Sequence, residues 1–579
     1  MTAAQDPAGD PAWEEAQALW GVRMGEPESR TGDRTTFAWF TFPARVHVDP
    51  GLLAEMGATA HLATVYAHEI GHHVLAPATP VQQLRMRYQL GRALIACGAP
   101  DDGRLVPRAD FLANLWSDLL TNVRVAAAQR AARPAAEPGM VALWRLLSDR
   151  SPATDASWWM VLRGYELLFG LATGSLCGST PPPAAADPSL DAMTDAPLLA
   201  DLVRGFGLDP VGGSLPFGML FAPYLIRLQD KERIWAEVPL LGPACGTEAD
   251  RCAPSETDLQ DLFDDPRLRD EPRHPAWPAD DDGDGGRGSD APSQAFGPAL
   301  TERLLPGADS DAVAAAWYRA EARRWVRPLS VPTRSAESSI VPGATEVWHA
   351  GDEVADIDWP ATLAVSPRPV PGVTTRRRTW LEDAGPIDRA PVRLDLYVDS
   401  SGSMPRPASG SPALLAGAVL VESVLRGGGS VRVTSFSGPR QVAGTADFGR
   451  HRREAMGALL TFFGGGTSFP LDLLDERYRV PPTGPTHLVV LSDDGLESMF
   501  GRGNDAFAGA AERVRGLVVS GTLVLAVGRP SPVREVAERA GYRVIELTDL
   551  AHAPAACAEI AAAIVAAGTA DAEQMETTA

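Results

Sequence analysis

Ten histidines stand in the 579 residues, and two of them, His68 and His72, bracket Glu69 in the run His68-Glu69-Ile70-Gly71-His72-His73. On a helix, positions i and i+4 share a face, so His68 and His72 can each offer an imidazole nitrogen to one zinc ion while Glu69 sits beside the ion's open position. The chemistry this spacing predicts is hydrolysis. Zinc acidifies a water, Glu69 takes the proton, the nucleophile attacks a polarised peptide carbonyl, and Glu69 passes the proton to the leaving amine. His73 is rotated off the shared face and is spare. The flanking Leu62, Val65, Tyr66, Ile70 and Val74 give the helix the apolar side that a buried site requires.

A zinc hydrolase centre takes three protein ligands and a water, so a third ligand must come from elsewhere. Asn114, Asp118 and Asn122 recur every four residues amid Leu112, Leu115, Trp116, Leu119 and Leu120, which puts three polar groups on one face of an otherwise apolar helix. Asp118 is the expected ligand. The same face also suits a hydrogen-bond ladder between helices, and Asn114 or a later acid stays open as a substitute. With these residues the chain resembles the zincin metallopeptidases, in particular the AAA+ membrane zinc proteases, in which an aspartate on a downstream helix completes the site. The resemblance covers only the two short motifs, and it implies Zn2+ as cofactor and a protein or peptide substrate.

A second set of oxygen-bearing residues lies far downstream. Asp399-Ser-Ser401-Gly-Ser403 directly follows the apolar run Leu394–Val398, Thr467 stands in Gly464-Gly-Gly-Thr-Ser468, and Asp493-Asp494 follows Leu491-Ser492. Small hydroxyls and carboxylates of this kind suit a hard cation with a position left for an incoming carboxylate. In order and placement the segment 390–570 resembles the von Willebrand factor A domain and its metal-ion-dependent adhesion site. The resemblance implies that Ser401, Ser403 and Thr467 coordinate Mg2+ directly while Asp399 and Asp493 act largely through water, with Asp494 as substitute for Asp493. Upstream, Gly351-Asp-Glu-Val-Ala-Asp-Ile-Asp358-Trp359 resembles the block that precedes this domain in a bacterial family partnered with MoxR-type AAA+ ATPases.

These motifs need elements to hold them. Residues 35–48 are rich in aromatic and β-branched types and read as one or two strands, followed by Asp49-Pro50 as cap and first residue of a helix. A helix over about 58–76 carries the zinc motif and stops at Pro77, and a mostly helical pattern runs on to Leu228. The stretch 270–296, ending in Asp280-Asp-Asp-Gly-Asp-Gly-Gly-Arg-Gly-Ser-Asp290, is too polar and glycine-rich to fold alone and lacks the spacing of a calcium loop. From Val392 onward apolar strands alternate with helices, the pattern of a doubly wound α/β sheet with its ligand site at the carboxyl ends of the strands. The expected organisation is multidomain. A mostly α, zincin-like metallopeptidase domain spans 1–269, an acidic linker 270–296, a helix and connector 297–389, an α/β von Willebrand A (Rossmann-like) domain 390–570, and a disordered tail 571–579.

Composition narrows the partners. A formal charge of −22 repels nucleic-acid phosphates and anionic lipid, and no basic stripe extends beyond Arg376–Arg378, so nucleic acid is excluded. No apolar run reaches the roughly 20 residues of a membrane span, and the amino terminus lacks a signal-peptide profile; both point to a cytoplasmic protein and no membrane partner. Five scattered cysteines without a CxxC pair fit reduced thiols. The single lysine, Lys231, excludes a Gly-Lys-Ser/Thr phosphate loop, so any ATP hydrolysis belongs to a partner in trans. Two functions follow as expectations: a zinc peptidase whose second domain docks on an AAA+ ATPase or a substrate, or a non-enzymatic adaptor in which the zinc domain is structural. An intact Glu69 favours the first.

Overall fold

The structure, a computed structural model, describes residues 10–31, 36–178, 180–226, 254–269, 272–276, 297–305, 307–334, 339–383, 387–493, 496–527 and 533–578. Among the described residues the chain divides into two compact units, with the boundary between Ala320 and Glu321. Most of the acidic segment 270–296, together with Lys231, Cys245, Cys252 and Asp494, lies outside the described residues.

The first unit opens with helix α1 (Pro11–Trp20) and a three-stranded sheet, β1 (Glu28–Ser29), β2 (Ala38–Thr41) and β3 (Arg45–Val48). The aromatic run therefore folds as a hairpin, with β2 antiparallel to β3 and β1 parallel to β3 on the other side. Asp49 caps α2 (Pro50–Glu55), its carboxylate accepting from the N–H groups of Gly51 and Leu52 at 3.0 and 3.1 Å. After one 3₁₀ turn comes α3 (Leu62–Val74), a little shorter than the sequence suggests at both ends. The rest is helical: α4 (Pro80–Ala96), α5 (Leu105–Ala132), α6 (Gly139–Arg150), α7 (Ala156–Phe169), α8 (Ala192–Gly205), α9 (Pro210–Ile226), α10 (Glu256–Asp264) and α11 (Pro298–Leu304). The long α5 is the axis of the unit, touching α1, α3, α4, α6, α7 and α9. It is buried from Leu112 through Asn122, polar residues included.

Helix α12 (Ser310–Ala322) leads to the second unit. Four strands absent from the sequence reading come first, β4 (Ser330–Arg334), β5 (Ser339–Val347), β6 (Arg376–Asp383) and β7 (Ile387–Pro391), with α13 (Trp359–Val365) between β5 and β6. They pair as two antiparallel ribbons, β4 with β7 and β5 with β6, the second interrupted by a register shift between Pro342 and Thr345. That shift hides the alternation by which a strand is recognised.

The remainder is a six-stranded, mostly parallel sheet. In chain order its elements are β8 (Arg393–Asp399), α14 (Pro412–Arg426), β9 (Ser430–Phe436), β10 (Val442–Gly444), α15 (Arg452–Leu460), α16 (Leu471–Arg477), β11 (Thr486–Ser492), α17 (Ala510–Arg515), β12 (Ser520–Leu525), α18 (Arg534–Arg539), β13 (Arg543–Glu546) and α19 (Ala553–Thr578). The strand order is β10-β9-β8-β11-β12-β13, and only β10 runs antiparallel. Every residue of β11, and every residue of β8 after Arg393, is buried, so both strands are covered on both faces. Tyr397 and Val490 pack into a cluster with Leu474, Val514 and Ala537, while Leu396, of opposite parity, approaches Gly417 of α14. Residues 571–578, expected to be a separate tail, continue α19, whose alanine-rich sequence favours helix. No helix among the described residues is long and apolar enough to cross a membrane.

Candidate metal centres

Helix α3 can lie against α5 because position 71 carries no side chain. A Cβ there would stand 2.3 Å from Thr121 Cγ2 on α5 and 2.7 Å from Trp20 Cζ2. Trp20 also donates its indole N–H to the Ala67 carbonyl at 2.6 Å, tying α1 to the same helix. This close approach brings Asp118 and Asn122, one on each side of Thr121, up to the two histidines of α3.

The result is a triangle of ligand atoms. His68 Nε2 and His72 Nε2 are 3.1 Å apart, and Asp118 Oδ1 stands 3.5 and 3.3 Å from them. All three residues are buried, and they form the one His/Cys/Asp/Glu group among the described residues that could hold a metal. Each Nδ1 faces an acceptor: Asn122 Oδ1 at 2.7 Å for His68 and the Ala76 carbonyl at 2.7 Å for His72. With both Nδ1 atoms carrying the hydrogen, two Nε2 lone pairs and a carboxylate oxygen point at a common centre. Asp118 Oδ1 is buried without a hydrogen-bond partner. Such a set repels itself unless a cation sits among its members. Bonds of about 2.0–2.1 Å to tetrahedral zinc place ligand atoms about 3.3 Å apart, the middle of the observed edges, so the residues fit zinc.

The protonation equilibria carry the same demand. Burial pulls the His68 imidazole down, but Asp118, with help from Glu69 and Asn122, outweighs it and raises the pKa to about 9. With protein groups alone, a proton supplies the positive charge that the triangle favours. Glu69 is buried, which raises its pKa above the ordinary carboxylate value, against the pull of His68 and His72. Asn114, the open alternative, places its Nδ2 3.5 Å from Asp118 Oδ2, beside the ligand carboxylate. His73 turns away, its Nε2 3.3 Å from the Arg45 carbonyl. Phe40 of β2 stacks on the His72 ring at 4.6 Å between centroids, so the terminal strand of the sheet runs past the site.

In the second unit the carboxyl end of β8 delivers Asp399 and that of the adjacent β11 delivers Ser492 and Asp493. Asp399 accepts from the Ser401 N–H at 2.8 Å and from Ser492 Oγ at 2.6 Å. Ser401 Oγ is 3.1 Å from Ser403 Oγ, which lies 3.1 Å from Asp493 Oδ1. Thr467 sits on a loop stitched to the same turn by Gly402 N–H to the Gly465 carbonyl (2.8 Å) and Gly464 N–H to the Ser400 carbonyl (2.9 Å). Burial raises the Asp399 pKa, against the hydrogen bonds from Ser492 and Ser401. Neighbouring oxygens around an octahedral Mg2+ stand about 2.9 Å apart, and the two 3.1 Å spacings here are those of the hydrogen bonds that join Ser401, Ser403 and Asp493.

The block before the sheet has a structural explanation in its own residues. Asp358 caps α13 through the Ala361 N–H at 3.0 Å and pairs with Arg378 of β6 at 2.7 Å. Thr362 accepts from the Arg376 N–H at 2.8 Å. Sequence reasoning missed Tyr165, whose hydroxyl accepts from Asn122 Nδ2 at 2.9 Å. It lies 43 residues away from Asn122, in a run of apolar and aromatic residues that carries no motif. Cys97, Cys177 and Cys557 are free thiols. No family model matches this chain, and no curated protein matches it.

Proposed function

We propose that the chain is a zinc-dependent peptidase, with His68, His72 and Asp118 as the ligands and Glu69 as the general base. The carrying observation is the buried triangle of 3.1, 3.3 and 3.5 Å with its orphaned Asp118 oxygen. Zinc, when bound, supplies Lewis acidity that polarises a peptide carbonyl and acidifies a water. The chain's own groups do the rest. Asn122 and the Ala76 carbonyl hold the two Nδ1 hydrogens. Glu69, with its pKa raised by burial, takes a proton from the attacking water and returns it to the leaving amine. The edge of β2, next to His72, suits an extended substrate that pairs as a further strand.

The oxygen cluster at Asp399, Ser401, Ser403 and Asp493 supports a second role, magnesium-dependent docking of a carboxylate from a partner. The MoxR-type AAA+ ATPase that the sequence resemblance implies would supply the nucleotide hydrolysis that this chain lacks a phosphate loop to perform. One observation favours the rival, a non-enzymatic adaptor with structural zinc: His68, Glu69, His72 and Asp118 are all at most 4% exposed. A structural site, however, is closed by four protein ligands, and among the described residues three converge here.

The deciding experiment uses Glu69→Gln with candidate substrate and partner present. The variant should retain zinc and fold while cleavage falls by about 100-fold or more, since general-base catalysis contributes about that much. Cleavage unchanged in Glu69→Gln would reject the mechanism, and loss of zinc from it would make Glu69 a fourth ligand of a structural site.

A further inference from the structure

We infer that Asn122, held in place by Tyr165, is a positioning residue that sets which nitrogen of His68 is available to a metal. The inference rests on the zinc reading of His68, His72 and Asp118. The two histidines are held differently. His72 Nδ1 meets a backbone carbonyl, which only accepts, so Nδ1 carries a hydrogen and, in the neutral ring, Nε2 is the bare nitrogen. His68 Nδ1 meets a carboxamide, which can present either oxygen or NH₂. With Oδ1 toward the ring, Nδ1 keeps the hydrogen and Nε2 is free to coordinate. With NH₂ toward the ring, the hydrogen is forced onto Nε2, between His72 and Asp118, where it would block a metal.

The outer end of that amide is not left to solvent. Asn122 is fully buried, and its Nδ2 donates to the Tyr165 hydroxyl at 2.9 Å. The Tyr165 ring is itself clamped, its centroid 4.2 Å from that of Trp144 and 5.3 Å from that of Phe169. The relay runs from α7 through α5 to α3, so three helices of the unit must be in register for His68 to be a competent ligand. Groups that orient a metal-binding histidine through its second nitrogen typically change metal affinity by about 10- to 100-fold.

Two substitutions of nearly equal size separate this role from packing. An aspartate at 122 can only accept; it keeps the hydrogen on His68 Nδ1 and takes the Tyr165 O–H on its other oxygen. A leucine fills the space and offers nothing. In competition titrations of the full chain with zinc and a chromophoric chelator, Asn122→Asp should bind zinc at least as tightly as wild type. Asn122→Leu should bind about 10- to 100-fold more weakly. Thermal melts of the zinc-free proteins should rank the other way, with leucine the more stable, because burying an extra carboxylate without the ion is costly. A packing role would make leucine equal to or better than aspartate in both measurements, and that result overturns the inference. Should Asn122→Leu fail to fold, Tyr165→Phe decides. It keeps the ring stack and removes one oxygen, and undiminished zinc affinity in it overturns the inference. Wild type that takes up no zinc would bring down the proposed function itself, whereas wild type and Asn122→Leu binding zinc equally would remove only the relay.

Discussion

At the scale of single residues, the candidate site was legible wherever it depends on types at fixed spacing. His68, Glu69 and His72 declare themselves by the helical repeat, and Asp118 by being one of three polar residues on a buried face. What could not be read was how α3 and α5 meet, because that depends on Gly71 fitting against Thr121 and Trp20, contacts between residues far apart in sequence. The fit makes a prediction. Gly71→Ala inserts a methyl where Thr121 Cγ2 would be 2.3 Å away, so it should cost about 1–3 kcal/mol in denaturant unfolding and weaken zinc binding together with it. An alanine variant with wild-type stability and zinc affinity would show that the helices separate easily and that their contact does not set the site. Among the ligands, His68→Ala and His72→Ala should abolish stoichiometric zinc, and Asp118→Ala should weaken it. Full occupancy in Asp118→Ala would exclude that residue.

Elements were legible in proportion to how far their own sequence decides them. The alternation of β8, α14, β9, β11 and β12 follows from apolar runs and glycine-bearing connections, and each lies within a few residues of its expected place. The ribbons β4 to β7 escaped notice because pairing partners specify them, and in β5 the Pro342–Thr345 shift breaks the repeat. The short α16 and the three-residue β10 are likewise made by packing more than by propensity. Strand β11 carries a testable oddity, a buried histidine. His487 Nδ1 bonds Ser520 Oγ at 2.8 Å, its Nε2 is buried without a partner, and burial lowers the pKa from 6.5 to about 4. Unfolded chain takes up this proton below about pH 6.5, and folded chain only near pH 4, so the stability it confers is complete above 6.5 and fades as pH falls through that window. The loss amounts to about 3 kcal/mol at most. Urea melts at pH 7 and pH 4.5 should show a smaller drop for His487→Leu than for wild type; equal drops would mean that His487 is solvated in the folded strand.

For the whole molecule, the two centres lie in separate compact units, and this predicts independence. Asp399→Ala should leave zinc content unchanged while abolishing magnesium-dependent capture of a candidate MoxR-type AAA+ ATPase, whereas His68→Ala should do the reverse. Capture that survives Asp399→Ala and EDTA would make the oxygen cluster a structural turn, an outcome its internal hydrogen bonds would explain. Adding zinc to the zinc-free chain should raise the melting of the first unit alone, by an amount that grows with the logarithm of free zinc. The central claim, that three side chains from α3 and α5 form an open zinc site, is tested most directly by X-ray absorption at the zinc edge of the full chain loaded with one equivalent. The account predicts about two imidazole nitrogens and about two oxygens at about 2.0–2.1 Å, one oxygen being exchangeable water. A shell containing sulfur at about 2.3 Å, or the same spectrum from His68→Ala, would contradict it.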